Sequence, residues 1–158
     1  MKLESPAYTR ADVEQFLDEM IDHDRHLLAD RLEKASAHLA ELGARVQVGR
    51  GETEWSQHEI LGHIAVLSKF YGVLVHKISS GQMSEFDLLE NVNLRDVVGE
   101  QMAQIEPAEL LRSVEPSSLR RKARQENGEL ISAEEIARLP LVSHLEMHID
   151  QLERSLSS

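Results

Sequence analysis

Two histidines stand four positions apart, His144 and His148, inside the run Ser143-His144-Leu145-Glu146-Met147-His148-Ile149-Asp150-Gln151-Leu152. The run has helical spacing, so at ~100° per residue both imidazoles lie on one face, one turn apart, within reach of a single ion. Leu141, Leu145 and Leu152 share that face, which predicts that it looks inward. Burying an imidazole is costly unless it is hydrogen-bonded or coordinated. His63 stands in the same setting on another helical run, with Ile60, Leu67 and Phe70. Three neutral imidazoles aimed at one point suit Zn²⁺, Ni²⁺ or another borderline ion. Three protein ligands leave open positions, the pattern of a catalytic rather than a structural site. The ion would lower the pKa of bound water, or bind and activate a substrate thiolate.

The H-x-x-x-H spacing is a weak signal by itself. Among eight histidines in a helical chain one such pair can arise by chance, and the alternative is a hydrogen-bonded or half-exposed pair. A zincin is excluded, because it needs H-E-x-x-H and position 145 is Leu. Glu146 is expected to point away from both histidines, toward solvent. Gln151, nearly one turn after His148, is placed to orient it or a bound water. His23, His26, His38, His58 and His76 have weaker claims as ligands, and Tyr71 reads as a packed side chain.

The elements that carry these residues are predicted to be helices. From Thr9 to Leu42, apolar residues from Val13 to Leu42 recur at three and four, with Thr9 and Asp12 as a capping box and Gly43 as a stop. A helix of that length invites a break, expected in the charged stretch Asp22–His26. Ser56 and Glu59 cap a second helix that ends at Ser79-Ser80-Gly81, and Trp55 is placed to staple onto Ile60. Gly62 and Gly72 inside it suggest close approach of a neighbouring helix or room beside a ligand. A third helix is expected from Asn93, interrupted at Pro107 and resuming to Glu115-Pro116. Residues 117–131 read mostly as loop. Ser132 and Glu135 open the last helix, with Pro140 as an irregularity. No strand alternation stands out, so the fold class is all-α, a four-helix bundle.

A length of 158 residues argues for one domain, 1–158. The absence of cysteine removes thiolate ligands, a catalytic thiol and disulfides. A net charge of -11 disfavours nucleic acid and anionic membranes as partners. No apolar run is long enough to span a bilayer, and no signal-peptide pattern opens the chain, so the expected location is cytoplasmic. No long exposed apolar stripe is evident that would demand a partner.

Two motifs carry a family resemblance. Trp55-Ser56-Gln57-His58-Glu59-Ile60-Leu61-Gly62-His63-Ile64 resembles the second-helix motif of the DinB/YfiT-like superfamily, with a Trp eight residues before a metal-binding His. His144-Leu145-Glu146-Met147-His148-Ile149-Asp150-Gln151-Leu152 resembles its last-helix pattern H-x-x-x-H-x-x-Q-L. Pro140 departs from that pattern. The resemblance implies an up-down-down-up bundle holding a divalent metal, zinc or nickel, on His63, His144 and His148, often as a homodimer. It also implies S-transfer or isomerisation that depends on a low-molecular-weight thiol; the metal is expected to activate that thiol, or water for hydrolysis, toward a small-molecule substrate, and no catalytic residue beyond the ligands is assigned. Arg112, Arg120, Arg121, Lys122 and Arg124 form a basic island. They read as a solvated connector or, at Arg120 and Arg121, as a rim for a carboxylate-bearing thiol. The rival readings are a non-catalytic metal or small-molecule binding protein, and a helical interaction module whose histidines are structural.

Overall fold

In a computed structural model, residues 7–46, 56–85 and 106–157 are described. The Trp55 staple and the third helix expected from Asn93 up to Pro107 lie outside them. The described chain is predominantly helical, with one small antiparallel two-stranded sheet.

Helix α1 (Arg10–Gly43, 34 residues) starts at a complete capping box between Thr9 and Asp12. It does not break at Asp22–His26. No Gly or Pro lies inside it before Gly43, and such residues are the usual cause of a kink. The charged stretch is tied down instead: Arg25 pairs with Asp22 at 2.7 Å, and Asp24 with Arg138 at 2.7 Å. Helix α2 (Gln57–Ser79) has its capping box at Ser56 and Glu59, and the chain leaves it through Gly81 at φ +78°.

Pro107 begins helix α3 (Pro107–Ser113) rather than breaking one, because a first-turn N–H needs no helical partner. A Cβ at Gly72 would lie 2.9 Å from Pro107 Cγ, so close approach explains that glycine. A Cβ at Gly62 would meet no heavy atom within 4 Å, so crowding does not explain that one. The carbonyls at the end of α3 are collected by one side chain. Arg25 Nη1 donates to the carbonyl oxygens of Leu111 (3.2 Å), Arg112 (2.7 Å) and Val114 (2.6 Å).

The stretch expected to be loop contains a 3-10 turn (Pro116–Arg120) and a ribbon of β1 (Lys122–Arg124) and β2 (Leu130–Ser132). Its register pairs Ala123 with Ile131, and Gly128 takes φ +86° in the reversal. The Ser132 hydroxyl then accepts from the Glu135 amide, which starts α4 (Ala133–Ile136). A π-helical segment (Ala137–Ser143) around Pro140 follows, and the same rod continues as α5 (His144–Ser157). Pro140 has no N–H to give to the preceding turn, and the His144 amide donates five positions back, to the Leu139 carbonyl.

Three cross-helix ion pairs join α1 to this rod: Asp24–Arg138, Arg31–Glu146 and His38–Glu153 (3.4 Å). Both partners advance together, so α1 and α5 run parallel. The sequence offset is 115 at the last two pairs and 114 at the first. On the other flank Gln57 Nε2 donates to the Ser155 carbonyl at 3.4 Å, and His63 meets His148, so α2 runs antiparallel to α5. Ile149, Leu145 and Leu152 are buried between these flanks with Ile60, Ile64, Leu28 and Leu32.

At the observed offset, Ala133 stands level with about residue 19 of α1, so the first turns of α1 reach past the start of the rod. Val13, Phe16, Leu17 and Met20 fall in or beside this overhang. With Leu27, they are 39% to 51% exposed. An exposed apolar stripe is therefore present, contrary to the sequence expectation. The buried set on α1 is Ile21, Leu28, Ala29, Leu32, Ala35 and Leu42. No described helix is long and apolar enough to cross a membrane.

Candidate metal centre

The three histidines come together from α2 and α5. The ring centres of His63 and His148 are 5.1 Å apart with the planes at 89°, and those of His144 and His148 are 5.6 Å apart at 51°. The i,i+4 spacing stacks His144 and His148 on the α2-facing side of α5. The antiparallel crossing brings His63 level with them.

The surroundings are apolar on the helix side. A cavity of about 10 Å³, room for a single water-sized body, lies against Ile64, Leu67, Leu145 and Pro140. Its polar lining is His144, His148 and Ser68. Ser68 was not singled out from the sequence. Its signal was the helical spacing from Ile64, which puts it on the wall facing α5. Pro140 lines the same cavity, so the irregular segment is also part of the site wall.

Burial lowers the His63 pKa, and repulsion from His148 and His144 adds to that effect. His63 is therefore held toward its neutral, electron-donating form. Gln151 Oε1 lies 3.3 Å from His148 Nδ1, so in the Nδ1–H tautomer His148 donates to Gln151 and turns the Nε2 lone pair to the coordinating role.

Donor type and spacing fit a divalent ion. With metal–nitrogen bonds of about 2.05 Å and ring centres roughly 1.1 Å further out, two imidazoles on one tetrahedral ion have centres on the order of 5 Å apart. The two measured separations agree with that figure. Ring orientation does not: His63 meets His148 edge to face. Among the described residues no three His, Asp or Glu side chains already surround one point as a metal cage.

The remaining candidates lie elsewhere. Arg121 Nη1 crowds Gly81, at the C-terminal end of α2, and His63 is about 24 Å away from that end along the helix. Arg120 Nε faces Asp18 Oδ1 at 2.9 Å, and both atoms are buried. Arg112 pairs with Asp30 (2.8 Å) and Glu33, and Arg124 donates to the Gly128 carbonyl. Arg112, Arg120 and Arg124 thus brace the connector, and Arg121 lies at the far end of α2 from His63. Glu146 does not project freely into solvent: it turns to α1 and pairs with Arg31. His38 lies by Glu153, His26 by Asp22 at 4.0 Å, and His58 is exposed. Burial raises the Tyr71 pKa, in keeping with a packed phenol.

No family model, curated protein or solved structure matches this chain.

Proposed function

We propose that the protein is a metal-dependent enzyme of the DinB/YfiT-like class, with one divalent ion, zinc or nickel, held by His63, His144 and His148. The observation that carries this reading is that His63 from α2 and His144 from α5 each stand beside His148, with ring centres 5.1 and 5.6 Å away. The up-down-down-up bundle is part of the same proposal. Parallel α1 and α5 with antiparallel α2 support it, since an up-down-up-down bundle would set its first and last helices antiparallel.

A bound ion supplies Lewis acidity that favours the thiolate of a low-molecular-weight thiol for S-transfer, or hydroxide for hydrolysis. The chain's own residues set the conditions. His63 is kept neutral by burial. Gln151 fixes the His148 ring. Ile64, Leu67, Leu145 and Pro140 keep bulk water from the inner side. The chain has no cysteine, so any thiol comes from a cofactor.

The deciding experiment is elemental analysis of untagged wild type beside His148→Ala. About one metal per chain in the wild type, absent in the variant, is expected. A wild type that stays metal-free after incubation with Zn²⁺ or Ni²⁺, with unchanged thermal stability, would falsify the proposal and favour an interaction module with structural histidines.

A further inference from the structure

The side of α5 opposite the histidines borders an open cleft of about 210 Å³ against α1, lined by Arg31, Lys34, Ala35, His38, Glu146 and Ile149. Two of the cross-helix ion pairs bracket it. Arg31 and Glu146 close one end, and His38 with Glu153 closes the other, two helical turns along. Lys34 stands midway. At the offset of 115 that relates the two pairs, it is level with Ile149, so no acid faces it from α5. Among the described residues it has no ion-pair partner, whereas Arg31 pairs with Glu146 and His38 lies against Glu153. Ala35 and Ile149, both buried, form a dry floor beneath it.

We infer that this cleft binds a small monocarboxylate with an apolar body. An ammonium with no ion-pair partner among the described residues calls for one negative charge. A carboxylate at Lys34 accepts a charge-assisted hydrogen bond and supplies that partner. The flanking Glu146 and Glu153 disfavour a second negative charge, which selects against dianions such as phosphate monoesters. The volume accepts a body on the order of ten non-hydrogen atoms, and the Ala35–Ile149 floor rewards an apolar one. The site is separate from the histidine cluster and does not depend on the metal reading.

Benzoate is the probe, titrated into metal-free protein and followed by the methyl resonances of Ala35 and Ile149. Saturable shifts are expected at those methyls. Lys34→Gln should weaken binding at least tenfold, while Lys69→Gln, on the exposed side of α2, should leave it unchanged. His148→Ala should bind benzoate like the wild type, which separates this cleft from carboxylate coordination at a metal. Inorganic phosphate should bind at least tenfold more weakly than benzoate. Non-saturable shifts, equal affinity in Lys34→Gln, or loss of binding in His148→Ala would each overturn the inference.

Discussion

The two sides of the last helix solve the burial of polar groups in opposite ways. Toward α1, Glu146 pairs with Arg31 and Glu153 lies by His38 at the half-exposed rim. Toward α2, among the described residues, His144 and His148 meet another imidazole and apolar side chains, with Ser68 and Gln151 beside them. Those two carboxylates have their basic neighbours within the chain. The histidine side gathers electron-pair donors without supplying a positive charge, and burial keeps one of them from acquiring its own. Polar groups that only held the fold together would be paired as Glu146 and Glu153 are.

The contrast can be broken most sharply by His148→Ala, which should abolish metal binding while far-UV circular dichroism stays helical. Leu152→Ala comes next, because that residue is fully buried between the two sides. It should cost about 2–5 kcal/mol in denaturant unfolding, and the fraction that remains folded should still bind metal. A smaller effect is expected from pH in metal-free protein. The folded pKa of His63 is depressed below its ordinary value of 6.5, so the unfolded chain binds the proton first. Its contribution is fully present above that value and is lost as pH falls through 6.5 toward the folded pKa. Unfolding midpoints measured across that window should decline in wild type and flatten in His63→Gln. Smallest is Arg31→Ala. The pair it breaks is partly exposed and solvent-screened, so stability should change by less than about 1 kcal/mol with metal content intact. Metal loss in Arg31→Ala would mean that the two sides are not independent.

Much of this was legible in the residues. The helices carrying the site announce themselves through Ser56–Glu59 and Ser132–Glu135, and i,i+4 spacing alone puts His144 and His148 on one face. That His63 meets them depends on an antiparallel crossing, which periodicity within a helix does not encode. The ribbon escaped because strands of three residues are too short to display alternation. The unbroken α1 escaped because its charges at Asp24 and Arg25 find partners far along the chain. The exposed stripe at Val13, Phe16, Leu17 and Met20 has perfect helical spacing; spacing shows which side of a helix is apolar, not how far its neighbours extend.

The π-helical segment leaves a trace in that offset. Buried positions step by five across it, from Ile136 to Leu141 and from Ala137 to Val142, then by four from Leu141 to Leu145 and Ile149. The shift from 114 to 115 relative to α1 is the same one residue, and Leu139, 63% exposed, is pushed outward there. The rod therefore behaves as an ordinary α-helix that has swallowed an insertion. Excising Leu139 should let the turn tighten while Ile136 and His144 keep their bearings, so the shortened chain should fold and titrate with metal as the full one does. Adding a residue after His144 instead would swing His148 by about 100° and dismantle the cluster.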